Sequence, residues 1–265
     1  TLIGPDNVVP PEVVEALAAV SERLRVCLAT GRSYVETLPV WRQLRLARPH
    51  EPMVLIGGAL VSEPEGGRTL WMQPMARGAA CRFADALGEA GCVAMAIVDG
   101  WRHDVEYYVT ETGDVARAQR EWLAKMDVRV CRVARLTDAA DMPPPLRVSA
   151  VVEPSVAGAL AGRLRERFAG ELNVHAIVAP NYGVTIVEAH AAAADKRSAL
   201  TYVAQAHQTP MKRVIAVGDD VNDVAMLRAA GLGVAMPAAP EEVRAAADRV
   251  AAGGLAAFLR SLLEG

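Results

Sequence analysis

Short apolar runs of strand length alternate along this chain with segments whose apolar residues recur every three or four positions. That alternation is the pattern of a parallel sheet covered by helices on both faces. Pro10-Pro11 can open a helix in which Val13, Leu17, Val20 and Leu24 form one apolar stripe. Val26-Cys27-Leu28-Ala29 then reads as a buried strand ending at Thr30-Gly31-Arg32, with a helix start at Ser33. Val54-Leu55-Ile56 reaches Gly57-Gly58 in the same way, so twice an apolar run ends in small or polar residues.

From about Met75 to Pro180 the texture changes. The pattern predicts helices over 77–90, 115–125 and 155–168, and strands near 92–98, 104–109, 128–133, 147–152 and 173–179. Asp141-Met142-Pro143-Pro144-Pro145 is a stiff connector within this block. After it, strands at 184–188, 213–217 and 232–235 and helices at 196–207, 221–230 and 255–263 resume the first pattern. The expectation is an α/β chain in which 1–74 and 184–265 form one core, interrupted by an inserted α/β domain over 75–183.

Composition narrows the partners. The 265 residues carry 28 Lys+Arg against 31 Asp+Glu, a net charge of −3 with both signs interspersed. That excludes a nucleic-acid footprint or a basic membrane-binding face and favours a small-molecule partner. Cys27, Cys81, Cys92 and Cys131 are widely spaced without a CxxC, which predicts buried free thiols and a reducing, cytoplasmic setting. No apolar run approaches the roughly 18 residues of a membrane span.

In an open α/β sheet, ligands gather at the carboxyl ends of strands. Asp219 ends an apolar strand in GDDVND, and Asp223 follows one helical turn later. Two carboxylates facing each other suit a hard divalent cation, Mg²⁺ best. The alternative is that Asp219 or Asp220 caps the helix and Asp223 is a first-turn acid favoured by the dipole. Thr30-Gly31-Arg32 offers a hydroxyl, a close backbone approach and a planar donor for an anion. Lys196 stands at the start of the helix KRSALTYVAQA, where the dipole disfavours a cation. A phosphate or an acidic partner would explain it, and otherwise it is a solvated surface lysine. The five histidines lack HExxH spacing, and GxSxG and Walker loops are absent.

Taken together, VCLATGR (26–32), DKRSAL (195–200) and VIAVGDDVNDVAML (214–227) resemble, in order and spacing, the second, third and fourth motifs of the haloacid dehalogenase-like phosphatase superfamily. GVAM (233–236) and EEVRAAAD (241–248) resemble its C-terminal stretch, and the match is to the Cof-type sugar-phosphatase branch. The resemblance implies a Rossmann-like core with a large α/β cap that sets specificity, with Asn181-Tyr182-Gly183 at the cap's return hinge. It implies Mg²⁺ as cofactor and Asp219 and Asp223 as the acids of the metal motif. Thr30 and Lys196 become catalytic phosphate-holding residues, and Gly31, Arg32, Gly58 and Asn222 further phosphate-binding ones.

The family's nucleophile motif, DxDGTL, ends the first strand, and Thr1-Leu2 corresponds to its last two residues. Both catalytic aspartates are therefore expected upstream of Thr1, in a longer native chain. Gly57 and Ala238 stand where the branch usually has asparagine, so the leaving group is expected to be bound differently. The expected activity is Mg²⁺-dependent hydrolysis of small phosphorylated metabolites, sugar phosphates first. A phosphomutase on the same fold, or a non-catalytic phospho-ligand-binding protein, remains as an alternative.

Overall fold

The computed structural model describes residues 1–4, 7–111, 119–121, 124, 128–179 and 184–264. Asp6, most of the expected helix over 115–125 and the expected hinge at Asn181–Gly183 lie outside the described residues. The chain forms two compact units, Thr1–Trp71 with Asp195–Gly265, and Met72–Ala194.

The first unit begins with α1 (Pro11–Ser21), opened by a proline at its first position, where the missing N–H costs nothing. Val13, Leu17 and Val20 are buried as the stripe predicts, whereas Leu24 lies beyond the helix end and is 40 % exposed. Ser33 opens α2 (Tyr34–Trp41) through a reciprocal capping box with Glu36. Next come β1 (Met53–Leu55), β2 (Leu60–Ser62) and β3 (Thr69–Met72), adjacent in that order, with β1 and β2 antiparallel. The run 26–29, expected to be a strand, forms only a single parallel bridge, Ala29 to Val54. Val54 N–H donates to Leu28 and Thr30 N–H donates to Val54, so the segment is extended yet too briefly paired to be a ladder. Apolar content foretold extension here, but ladder length depends on neighbouring strands that composition does not encode.

The inserted unit contains α3 (Arg77–Glu89), β4 (Met95–Ile97), β5 (Tyr107–Thr110), β6 (Val130–Val133), β7 (Arg147–Val152), α4 (Pro154–Arg167), β8 (Leu172–Ala179) and β9 (Val184–Ala191). Its six-stranded sheet has the order β6-β5-β4-β7-β9-β8. All pairings are antiparallel except β5 with β6. The strand expected at 184–188 to resume the core instead runs eight residues as β9, between β7 and β8. A strand's apolar pattern fixes its burial and leaves its partners open, and here the return of the chain as a hairpin decides them. One face of this sheet packs Ala96, Val148, Ala150, Val174 and Val187 against Phe83, Leu87, Leu160 and Leu164 of α3 and α4. Phe83 meets Phe168 edge-on at 5.3 Å. Of the four free cysteines, Cys81 alone is fully buried, and Cys27, Cys92 and Cys131 are half-buried rather than buried as expected.

The chain then returns to the first unit with α5 (Lys196–Ala206), β10 (Ile215–Gly218), α6 (Val224–Ala229), β11 (Leu232–Ala235), α7 (Glu241–Ala246), β12 (Arg249–Val250) and α8 (Gly254–Ser261). β10, β11 and β12 form a parallel sheet in register Ile215↔Leu232 and Val234↔Arg249. Ala216, Met226, Leu227, Ala235 and Val243 make its core, and Val54, Val61, Ala199 and Val203 a second one. Among the described residues, no helix is long and apolar enough to cross a membrane.

Candidate functional site

At the carboxyl end of β10 the chain turns sharply at Gly218. A Cβ at this glycine would lie 2.5 Å from the Cβ of Asp223, so only glycine lets the following loop fold back this tightly. The fold-back buries Asp223, whose Oδ2 accepts the backbone N–H groups of Asp219 at 3.0 Å and Asp220 at 3.1 Å. Its Oδ1 accepts from Lys196 Nζ at 2.6 Å. Lys196 Nζ also donates to Asn222 Oδ1 at 3.2 Å.

Lys196 is 5 % exposed, so the solvated surface lysine is excluded and an acidic partner accounts for its position. The helix it begins is capped by Asp195, whose carboxylate accepts from the Ser198 N–H at 2.7 Å. Arg197, the next residue, is exposed. Asp220 takes the capping role weighed for this loop, its Oδ1 accepting from the Val221 N–H at 2.7 Å.

Asp219 differs from Asp223. Its side chain is 44 % exposed and its oxygens receive the Thr1 ammonium at 3.1 Å and the Thr1 hydroxyl. Burial raises the Asp219 carboxyl, but the Thr1 hydroxyl and ammonium and the charge of Lys196 outweigh it and hold the group below its usual range. A half-exposed carboxylate at the carboxyl end of a strand fits a divalent metal ion. Asp223, also expected beside the metal, has Oδ1 on Lys196 and Oδ2 on the backbone N–H groups of Asp219 and Asp220. Among the described residues, no group of three or more His, Cys, Asp or Glu side chains forms a complete metal site.

The Thr30 loop is joined to the same region through the backbone. Thr30 Oγ1 accepts the Arg32 N–H at 3.2 Å, and Thr30 carbonyl accepts the Gly57 N–H at 3.0 Å. Gly58 has φ +100°, and a Cβ there would lie 2.1 Å from the Asp195 carbonyl oxygen. The Ile56–Gly58 turn therefore lies directly on the first turn of α5, linking the loop after Ala29 to Lys196. Arg32 is directed instead to Asn7, its Nη2 donating to Asn7 Oδ1 at 2.8 Å. Sequence reading missed Asn7, Asp195 and the packing role of Gly58; the D-x-x-S spacing of 195–198 was the available signal for the cap.

The fold recurs among solved structures. A haloacid dehalogenase-like hydrolase from Bacteroides thetaiotaomicron superposes with TM-score 0.76 at 20% identity, covering 99% of this chain and 96% of that one. A sugar phosphatase of haloacid dehalogenase subclass IIB superposes with TM-score 0.76 at 17% identity, covering 99% and 95%. The fold is thus that of a haloacid dehalogenase-like core carrying a cap. Residues 1–253 match the haloacid dehalogenase-like hydrolase family, and the chain belongs to it, as a phosphoric monoester hydrolase of the Cof type. It is also similar to pyridoxal phosphate phosphatase YbhA of Escherichia coli (strain K12), 27% identical over 258 residues, 94% of this chain and 89% of that protein.

Proposed function

We propose that this phosphoric monoester hydrolase is Mg²⁺-dependent and releases phosphate from small phosphorylated metabolites, sugar phosphates foremost. The observation that carries the reading is Lys196, a buried cation tied to Asp223 and Asn222 near the half-exposed Asp219. Such an arrangement offers a phosphoryl group one fixed positive charge and one metal-binding carboxylate, and compensates charge without reorganisation during reaction.

In this reading Asp219 holds the metal, which when bound supplies charge neutralisation at the phosphoryl oxygens. Asp223 orients Lys196. Thr30, with the backbone of Gly31, receives a phosphoryl oxygen, Asn222 and Lys196 contact the others, and Arg32 borders the loop from its anchor on Asn7. Gly58 contributes by allowing the turn that seats α5. In the mechanism the family resemblance implies, an aspartate attacks phosphorus and forms an aspartyl-phosphate. The relatives named as acting on pyridoxal phosphate and on sugars support a small phosphorylated substrate. Four free thiols support a reducing, cytoplasmic setting.

Asp219→Asn in the full native chain tests the reading. The concentration of Mg²⁺ giving half-maximal phosphate release is expected to rise at least about tenfold while activity falls with it, each tenfold corresponding to ~1.4 kcal/mol. An active variant with unchanged Mg²⁺ dependence overturns the assignment.

A further inference from the structure

β8 ends the inserted sheet, and among the described residues no strand pairs with its outer edge. It runs eight residues in unbroken register with β9. Sheet edges are ordinarily blunted by charge, proline, a bulge or shortness, and β8, LNVHAIVA, has none of these. The opposite edge does, since β6 is four residues long and carries Arg132.

The Ala192 N–H donates to the Glu171 carbonyl, directly opposite it in this register. Bonded pairs alternate along an antiparallel ladder, so the backbone groups of Leu172, Val174, Ala176 and Val178 point away from β9. The Leu172 N–H finds the Phe168 carbonyl at 3.1 Å, and the Val174 carbonyl accepts from Arg165 Nε at 2.9 Å. Among the described residues, none meets the N–H and C=O groups of Ala176 and Val178.

α4 links the end of β7 to the start of β8, and both strands oppose β9, so α4 runs antiparallel to β8. Arg165 fixes its height against Val174. Counting back at ~1.5 Å per helical residue against ~3.4 Å per strand residue sets Gly158 and Ala159 level with Ile177, and Val156 level with Val178. Val156 and Val178 are 53 % and 69 % exposed. A Cβ at Gly158, or at Gly162 one turn on, would meet nothing within 4 Å. The chain's own packing therefore asks for neither glycine, although each costs about 1 kcal/mol in a helix relative to alanine.

We propose that a second copy of this chain pairs along β8, antiparallel across a two-fold axis at Ile177. Ala176 of each copy then exchanges both backbone bonds with Val178 of the other, and the bond from Arg165 to Val174 stays intact. Such a contact is isologous, one edge meeting itself. The same axis brings the two α4 helices together at Gly158 and Ala159, whose small side chains admit close approach. It also sets Arg163 of one copy beside Glu153 of the other, both exposed and opposite in charge.

Sedimentation velocity on the full native chain is expected to show monomer and dimer in exchange between about 1 and 100 μM, with the dimer gaining by mass action. Val178→Lys charges a position that is already exposed and is expected to raise the dimer Kd at least about tenfold. Gly158→Leu, whose side chain enters open space in the single chain, is expected to weaken the dimer likewise without lowering the melting temperature of the monomer. Glu153→Arg is expected to weaken it too, and adding Arg163→Glu to restore it. Matching circular dichroism spectra verify that the variants fold. A chain that stays monomeric throughout, or a dimer that Val178→Lys and Gly158→Leu leave unchanged, overturns the proposal.

Discussion

Lys196 begins a helix, where the dipole disfavours a cation, and it is buried there because Asp223 and Asn222 meet it. Replacing one member of a buried pair leaves the other charge uncompensated, at a cost of about 3–5 kcal/mol. Lys196→Met is accordingly expected to lower unfolding stability by that order, read from urea titration, and to reduce phosphate release by at least about a hundredfold. Gly58 is constrained as tightly by backbone alone. With φ +100° and an absent Cβ that would strike the Asp195 carbonyl, Gly58→Ala adds strain and displaces the start of α5. A loss of at least about 2 kcal/mol is expected in thermal or urea unfolding, with activity falling through misplacement of Lys196. The residue types at both positions were visible in the sequence. Their partners were not, because Lys196 and Asp223 are 27 residues apart and Gly58 is far from Asp195 along the chain.

Elements were legible where periodicity is long. The stripe of α1, the helix that follows Asp195 and the apolar run into GDD all appear within a residue or two of their expected places. Short strands were not: β2, β3 and β12 each span two to four residues, too few for alternation to register. β9 was legible as a strand but not as part of the inserted sheet, since its partners β7 and β8 are chosen by the fold. That strand also gives the inserted unit a pH dependence. His190 on β9 faces Glu188 from its own strand, Arg147 from β7 and His175 from β8, and burial holds its folded pKa at about 4 against an unfolded value of 6.5. The unfolded state thus binds the proton first, so its contribution is intact above pH 6.5 and is lost as pH falls through 4. A loss on the order of 3 kcal/mol is expected between pH 7 and pH 4, smaller in His190→Leu, as read from urea midpoints across pH.

For the whole molecule, the expected product follows from the proposed chemistry. Incubated with a hexose phosphate and Mg²⁺, the full native chain is expected to yield free phosphate, measured colorimetrically, and no isomeric sugar phosphate by chromatography. The isomer would mean transfer back to a reoriented sugar, and removal of Mg²⁺ by chelation is expected to abolish release until the ion is restored. The sequence alone determined the α/β class, the existence of an insertion and the candidate phosphate-handling residues, because helix period, strand-end glycines and ordered motifs are local properties. The two-unit division shifted the expected return at 184 to Asp195, because strand pairing, a non-local property, assigned β9 to the inserted sheet. Tertiary structure likewise decided what the acids of GDDVND do. Asp219 stands half-exposed at the strand end, Asp220 caps a turn, and Asp223 turns inward to Lys196. The crowding was written in the sequence, but only the fold could bring a buried lysine from another segment to one of the three and leave another half-exposed at the strand end.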